Sequence, residues 1–235
     1  MIGNTRFLAS LKNTIIYCVA TVPFTLAAAL GLAVLLNQHI KGRNFFRTVS
    51  FFPYVASLVA VAAVWNMLFS PAKSGPVNMI LYNVGMAAKS LPKWAADKDW
   101  VMFTVVMFSV WKNMGYYMVI YLAGLQGIPK DQYEAAAVDG ATKFKQFLYI
   151  TLPGLKGTIK YVVMITMIQA MKLFTQPYIM TQGGPKNSTK TLVYYIYTQG
   201  FQKGNFGYAC SIAAVFFVIV VTLSMAMKKV TAATD

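Results

Sequence analysis

Acidic residues are scarce in this chain of 235 residues, which has six Asp or Glu against 21 Lys or Arg. Charged residues make up 11% of the sequence, whereas soluble domains average about 25%. Hydrophobic residues reach 57% and are gathered in long runs, so the composition argues against an ordinary soluble domain. The basic residues lie mainly between these runs, and no basic helix with interleaved aromatic residues occurs. The net charge of +15 therefore does not indicate a nucleic-acid-binding protein.

The chain also lacks the residues that catalysis, metal binding and nucleotide binding require. Cys18 and Cys210 lie in apolar runs without a CxxC or zinc pattern, and the single histidine, His39, has no second His or Cys near it. We interpret His39 as a solvated loop residue. No GxxxxGK[ST] loop is present to bind the phosphates of ATP, and no soluble segment is large enough to hold a catalytic centre. We therefore expect no catalytic residue, no metal and no cofactor.

Five apolar stretches indicate membrane-spanning helices, because each is close to the roughly 20 residues that a helix needs to cross a bilayer. Three charge-free runs lie between Lys12 and Lys41, between Arg47 and Lys73 and between Lys203 and Lys228, and the runs 100–129 and 161–185 contain one lysine each, Lys112 or Lys172. We predict an all-α fold, a polytopic transmembrane helix bundle in a single domain over 1–235. Lysine and arginine occur in equal numbers on the two sides, so their count does not decide the orientation. The predicted spans are 13–36, 48–70, 101–125, 158–181 and 206–228.

The loop 126–157 contains the segment GIPKDQYEAAAVDGATKFKQFLYITLPG. Pro129 is typical of a helix stop, Asp131 can cap a new short helix, and Gly140 permits a turn. Apolar residues then recur near a helical period until Leu152-Pro153, which we expect to end a second short helix. The pattern predicts a helix–turn–helix at the membrane face. These features alone are equally compatible with an amphipathic loop that rests on lipid headgroups.

The spacing of residues in this loop resembles a known signature. Glu134-Ala135-Ala136, then Gly140, then Ile150-Thr151-Leu152-Pro153 resemble the EAA motif of binding-protein-dependent ABC importer permeases, which are type I permeases. In that family the loop is cytoplasmic and docks in a cleft of the ATPase subunit. The resemblance makes 37–47 and 229–235 cytoplasmic, and 71–100 and 182–205 extracytoplasmic. It implies that the residues that couple the chain to the ATPase are Glu134, Ala135, Ala136, Asp139, Gly140, Leu152 and Pro153.

Further segments resemble the carbohydrate branch of this family, the maltose- and glycerol-phosphate-type permeases. Asn13-Thr14 resembles the start of the family's second helix, and Phe51-Phe52-Pro53 with Trp65 resembles the helix that follows. Gly183-Gly184-Pro185 and the tyrosine-rich segment after it resemble the end of such permeases. The chain departs from the pattern because the family usually has six helices or more and this sequence begins where the second would. A truncated gene and a genuine five-helix form both fit this departure.

Two predicted helices carry polar stripes that are candidates for a substrate path. Ser109, Asn113 and Tyr116 share one helix face with Lys112 beside it, and Gln169, Lys172 and Gln176 follow a similar spacing. Polar groups in apolar helices tend to face the bundle interior or a water-filled path, and sugars need such donors, acceptors and aromatic rings. The family resemblance places sugar-contacting positions on these two helices. The alternative is that these groups form hydrogen bonds between helices.

The resemblance implies a permease subunit of a sugar ABC importer, a multi-pass protein of a bacterial or archaeal cell (inner) membrane. Its partners would be a second permease subunit, a cytoplasmic ABC ATPase dimer, an extracytoplasmic solute-binding protein, a sugar substrate and membrane lipid. Alternatives are a non-sugar cargo in the same machinery, an ATP-independent carrier or channel, and a non-transporting fragment. The absence of an intramembrane carboxylate and of an inverted repeat counts against the carrier.

Overall fold

The computed structural model describes residues 4–38 and 40–232 of the chain, so the prediction for His39 lies outside the described residues. All regular structure in this part of the chain is helical and it contains no strand, which confirms the all-α prediction. The longer helices are α1 (Thr5–Asn37), α2 (Arg43–Val55), α3 (Leu58–Leu68), α5 (Val101–Gln126), α9 (Lys156–Met171) and α12 (Phe206–Ala232). The shorter helices are α4 (Pro76–Asn83), α6 (Lys130–Val138), α7 (Lys143–Gln146), α8 (Leu152–Gly154), α10 (Thr175–Met180) and α11 (Leu192–Tyr197).

Three predicted spans coincide with single helices, namely α1, α5 and α12. The other two are broken, so their prediction as continuous helices was wrong. The stretch 48–70 divides into α2 and α3, and 158–181 divides into α9 and α10. Pro177 explains the second break, because in a continuous helix it could offer no N–H to the carbonyl oxygen of Leu173 and its ring would clash there.

Two described helices are long and apolar enough to cross a membrane, Thr5–Asn37 and Phe206–Lys229. The broken pair α2 and α3 meets the same test if the two helices are counted together as one span. This gives two or three spans by length and composition, fewer than the five predicted. The count of five spans therefore stays a prediction.

The described residues form two compact units. The first contains the described parts of Met1–Val22, Ala56–Ser109 and Met167–Asp235, and the second contains Pro23–Val55 and Val110–Thr166. In the first unit, Phe7, Leu192, Tyr195 and Ile212 form a buried cluster from α1, α11 and α12.

The irregular segment 70–100 of the first unit is held by one buried side chain, Asn78 of α4. Its amide nitrogen donates to the carbonyl oxygens of Ser70, Ala72 and Pro92 at 3.2–3.3 Å. Its amide oxygen accepts a hydrogen bond of 2.8 Å from the indole of Trp94. A buried amide with its hydrogen bonds satisfied stabilises a loop that has little regular structure of its own.

The core of the second unit lies between α1, α5 and α9, where small residues allow the helices to approach closely. Ala29 and Ala33 of α1 are fully buried against a cluster that includes Met118 of α5 and Val162 of α9. Such close approach gives van der Waals packing, which stabilises helix pairs in lipid, where the hydrophobic effect contributes little. At Gly115 of α5 an added Cβ would overlap the carbonyl oxygen of Ser50 in α2.

We expect Gly115→Ala to lower the thermal stability of the purified protein, although alanine has a helix propensity about 1 kcal/mol better than glycine. The added methyl group would force α5 away from α2, and overpacking of this kind typically costs about 1–3 kcal/mol. The matched control is Gly31→Ala in α1, where an added Cβ meets nothing within 4 Å. Thermal unfolding in detergent measures both variants, and equal melting temperatures for Gly115→Ala and Gly31→Ala would contradict the close approach.

Candidate functional site

The segment from Lys130 to Gly154 folds as a helix–turn–helix, as its sequence predicts. The helix α6 ends in a Schellman motif, in which Gly140 donates to the carbonyl oxygen of Ala137 at 3.1 Å and Ala141 donates to that of Ala136 at 2.8 Å. Gly140 has a φ of +75°, a conformation that costs glycine little and other residues more. The turn that separates the two arms therefore depends on this glycine.

The predicted cap of α6 was wrong, whereas the predicted end of the second arm lies within one residue of the observed one. Asp131 does not cap α6, because Pro129 occupies the N-cap position and no side-chain hydrogen bond caps the helix. Asp131 lies in the first turn instead, where the helix dipole favours a negative charge. The second arm passes through a π-helical turn, Phe147–Thr151, into α8 and ends at Gly154, one residue beyond the predicted end at Leu152-Pro153. The sequence analysis also missed the cap of α7, Thr142, whose hydroxyl accepts a hydrogen bond from the backbone N–H of Lys145 at 3.4 Å.

The base of the helix–turn–helix is fixed to the second unit. The hydroxyls of Tyr133 and Thr151 lie 2.9 Å apart and join the two arms. Gly154 lies against Ile128, whose side chain a Cβ at this position would meet at 2.8 Å, and Leu155 is fully buried in the core. The start and the end of the loop are thus held together by packing and by a hydrogen bond.

The outer face of the helix–turn–helix is open to its surroundings. Val138, Phe144 and Tyr149 are 88%, 69% and 76% exposed. Apolar side chains with this degree of exposure on one compact element are typical of a surface that a partner covers. Of the predicted coupling residues, Ala136 and Leu152 are half-buried and the rest are exposed, namely Glu134, Ala135, Asp139, Gly140 and Pro153.

A cavity of about 850 Å³ lies beside α6 in the second unit. Its lining includes Glu134 together with the cationic residues Arg43, Lys130 and Lys143. No described residue forms an ion pair with Glu134. The carboxylate is therefore available to a partner.

The polar stripe predicted on α5 occupies two different environments. Ser109, in the first unit, is fully buried and its hydroxyl donates to the carbonyl oxygen of Val105 at 2.8 Å. In the second unit, Asn113 is half-buried and the ring of Tyr116 stacks on that of Tyr54 with centroids 4.5 Å apart. These side chains lie on one helix face, as predicted.

Lys112 closes the C-terminal end of α2. Its ammonium group donates to the carbonyl oxygen of Pro53 at 2.7 Å and to that of Tyr54 at 3.4 Å, and the residue is 8% exposed. The last carbonyl groups of a helix have no partners within the helix, and a cation is favoured at that end by the helix dipole. The geometry therefore gives Lys112 a structural role at the break between α2 and α3.

The second polar stripe does not exist as one helix face, so its prediction was wrong. The helix α9 ends at Met171, which leaves Lys172 beyond it and Gln176 on α10. Gln169 and Lys172 are exposed and Gln176 is half-buried. The spacing of these residues assumed a continuous helix, which the break before Pro177 prevents.

Asn13 and Thr14 connect α1 to the segment that precedes α11. The amide of Asn13 donates to the carbonyl oxygens of Asn187 and Lys190 at 2.9 and 3.1 Å. The hydroxyl of Thr14 accepts a hydrogen bond of 2.9 Å from the backbone N–H of Leu192. The residue pair that resembles a family signature thus joins α1 to this segment by hydrogen bonds.

Two connections were not predicted from the sequence. Thr191 donates to the carbonyl oxygen of Leu173 at 2.5 Å, and Asn66 donates to that of Met180 at 3.1 Å. Leu173 lies in the break between α9 and α10, and Met180 is the last residue of α10. The available signal was the presence of Asn66 in an apolar helix, because a polar side chain there usually has a partner.

Comparison with known proteins identifies relatives along nearly the whole chain. A protein-family model described as "Binding-protein-dependent transport system inner membrane component" matches residues 21–229. The arabinooligosaccharides transport system permease protein AraP of Bacillus subtilis (strain 168) is 33% identical over 230 residues, which are 97% of this chain and 72% of that protein. The lactose transport system permease protein LacF of Rhizobium radiobacter is 36% identical over 222 residues, 93% of this chain and 74% of that protein.

The fold is also shared with a solved structure. The crystal structure of a bacterial alginate ABC transporter in complex with an alginate pentasaccharide-bound periplasmic protein contains a chain that matches with a TM-score of 0.87. The match is 24% identical in sequence and covers 96% of this chain and 78% of the other. This likeness shows the permease fold, in agreement with the all-helical class of the described residues.

We expect Lys112→Met to destabilise the protein by about 1.5–3 kcal/mol, the range for hydrogen bonds that involve a charged group. The substitution keeps the length of the side chain but leaves the carbonyl groups of Pro53 and Tyr54 without the ammonium donor. The matched control is Lys172→Met, at an exposed position beyond α9, which should change stability little. Thermal unfolding of the purified variants distinguishes the two, and an unchanged melting temperature for Lys112→Met would contradict the capping role.

Proposed function

The chain belongs to the family of binding-protein-dependent transport system inner membrane components, and we propose that it is a membrane-spanning permease subunit of an ABC importer for a sugar or oligosaccharide. The observation that carries this function is the exposed helix–turn–helix at Lys130–Gly154, whose residues match the EAA pattern and whose base is fixed to the second unit. The names of AraP and LacF support a carbohydrate as the cargo.

The proposed subunit is a multi-pass protein of the inner membrane, with five spans in a single permease domain over 1–235. We assign the loop 126–157, hereafter the coupling loop, to the cytoplasmic side. A second permease subunit would complete the path, and an extracytoplasmic solute-binding protein would deliver the sugar. The periplasmic protein in the alginate transporter structure supports a partner of that kind.

The proposed coupling is mechanical, and the chain itself makes and breaks no covalent bond. A cytoplasmic ATPase dimer would bind and hydrolyse ATP and would hold the coupling loop in a cleft. The exposed aromatic residues Phe144 and Tyr149 can fill an apolar groove, and the carboxylate of Glu134 can pair with a partner cation. Because the base of the loop is fixed by Tyr133, Thr151 and Leu155, movement of the cleft would be passed to α5 and α9 rather than absorbed by the loop.

The proposed path for the sugar includes Ser109, Asn113 and Tyr116 on α5. Asn113 offers an amide donor and acceptor, and Tyr116 offers a ring that is already stacked on Tyr54, an arrangement that suits the apolar face of a sugar. Gln169 and Gln176 remain candidates from α9 and α10, as does the exposed Lys172. Lys112 is assigned to the end of α2 rather than to the sugar.

We expect Glu134→Lys and Gly140→Pro to abolish sugar uptake while the protein still reaches the membrane. The first reverses the charge that a partner cation would meet, and the second destroys the turn, because proline cannot adopt a φ of +75°. The matched control is Gln132→Lys, an exposed residue on the same helix. The measurements are uptake of labelled oligosaccharide and co-purification of the ATPase. Normal uptake by both variants, at normal membrane levels, would reject the coupling role of the loop.

We expect Asn113→Leu to weaken the apparent affinity for a neutral sugar about tenfold and to leave assembly intact. The loss corresponds to about 1.4 kcal/mol, the range for one hydrogen bond whose partner is left without a replacement. The control is Val119→Leu, an exposed position on the same helix. Uptake is measured together with co-purification of the ATPase. Poor co-purification would assign Asn113 to helix packing, and unchanged uptake with normal assembly would reject both roles.

A further inference from the structure

A strongly basic pocket lies in the first unit, away from the coupling loop in sequence. Its volume is about 960 Å³. It is lined by the start of α1, the junction before α5, the segment before α11 and the residues that follow α11. The cationic residues of this basic pocket are Arg6, Lys12, Lys98, Lys186, Lys190 and Lys203.

The positive charge of the basic pocket is largely uncompensated. Among the described lining residues Asp99 is the one carboxylate, and it lies 4.0 Å from the ammonium of Lys98 with both side chains exposed. An exposed ion pair of this kind contributes little interaction free energy. No described carboxylate forms an ion pair with the other five cations. A concave surface with one sign of charge raises the local concentration of ions of the opposite sign.

The cations of the pocket repel one another electrostatically. Burial lowers the pKa of Lys190, and the nearby charges of Lys203 and Arg6 lower that pKa further. Like charges that meet in a partly desolvated site repel each other. An anion bound between these three side chains would remove the repulsion, so the arrangement favours a negatively charged ligand.

The wall that carries Lys190 is held in place rather than free to move. Asn13 binds the carbonyl oxygens of Asn187 and Lys190, and Thr14 binds the N–H of Leu192. The ammonium of Lys190 lies 5.3 Å from the ring centroid of Tyr194, within the range of a cation–π interaction. A preorganised cation loses less conformational entropy on binding than a lysine on a mobile loop.

The remaining lining suits a carbohydrate. The Ser188 hydroxyl donates to the carbonyl oxygen of Pro185 at 2.6 Å and keeps its lone pairs as acceptors, and the amide of Gln199, which is hydrogen-bonded to Tyr195, adds a polar group to the lining. Ligand pockets for small molecules typically have volumes of about 300–1,000 Å³, so a short oligosaccharide fits this space. A pocket with hydroxyl and amide groups around a cationic centre matches a sugar that carries an acidic group.

We propose that the basic pocket binds a carboxylate or phosphate group carried by the cargo sugar, with Arg6, Lys190 and Lys203 as its main ligands. This inference rests on the proposed function and narrows its substrate class to acidic or phosphorylated carbohydrates. Lys186, Lys190 and Lys203 belong to the segment 182–205, which the family resemblance makes extracytoplasmic, so the pocket would collect the anionic sugar from that compartment. The phosphate of an anionic lipid headgroup could bind the same cations, and the experiment below distinguishes this ligand from the sugar.

The test measures binding to the purified full chain in nanodiscs of phosphatidylcholine. The probes are trigalacturonate, glucose 6-phosphate and the neutral maltotriose, with binding measured by isothermal titration calorimetry. We expect at least one anionic probe to bind at least tenfold more tightly than maltotriose, with a Kd that rises with salt. Lys190→Gln and Arg6→Gln should each weaken that binding about tenfold. Lys190→Arg should retain it, and the control Lys93→Gln, an exposed lysine outside the pocket, should not change it.

Several outcomes would overturn the proposal. Binding of neither anionic probe, equal binding of maltotriose, or equal Kd values for wild type and the Lys190 and Arg6 variants would each do so. Nanodiscs with phosphatidylglycerol test the lipid. If this lipid abolishes probe binding, and native mass spectrometry shows that Lys190→Gln no longer retains it, the ligand is a headgroup rather than cargo. Failure of the proposed function is seen separately, as normal uptake by the coupling-loop variants Glu134→Lys and Gly140→Pro.

Discussion

The structure depends on one constraint, which is that every backbone polar group inside a bilayer needs a partner within the protein. An unsatisfied N–H or C=O in the hydrocarbon region costs several kcal/mol, and this chain breaks two of its apolar stretches. The break after α2 exposes carbonyl groups that Lys112 satisfies. The break after α9 leaves the carbonyl oxygen of Leu173 to Thr191, and the end of α10 is bound by Asn66. The breaks therefore explain two polar residues of the apolar stretches, Lys112 and Asn66.

The same requirement shapes the segment before α11. This segment has no regular secondary structure. Asn13 of α1 satisfies two of its carbonyl groups, those of Asn187 and Lys190, and Thr14 satisfies the N–H of Leu192. The hydrogen bonds fix the backbone at Lys190, one of the six cations of the basic pocket. The pair Asn13-Thr14, which resembles a family signature, thus links a long helix to an irregular segment by hydrogen bonds.

The coupling loop follows a different principle, because its outer face is held open while its base is packed. Leu155 is fully buried and Gly154 allows Ile128 to approach, so the two arms start from a rigid support. The turn at Gly140 keeps the arms apart. An element with a rigid base and exposed apolar side chains can pass on the movement of a partner, which a mobile loop would absorb.

The sequence by itself determined the helical class, the family, the helix–turn–helix and its glycine turn, because hydrophobic runs and residue spacing are local properties. It did not determine where helices break or what each polar residue binds. Gln169, Lys172 and Gln176 have helical spacing, but Pro177 ends that helix early. Lys112 has the sequence pattern of a residue in the substrate path, whereas in the structure its ammonium group binds the carbonyl oxygen of Pro53 in α2. These outcomes were decided by the tertiary structure. The local sequence pattern around Lys112 cannot indicate a hydrogen-bond partner that lies 59 residues away in sequence, at Pro53.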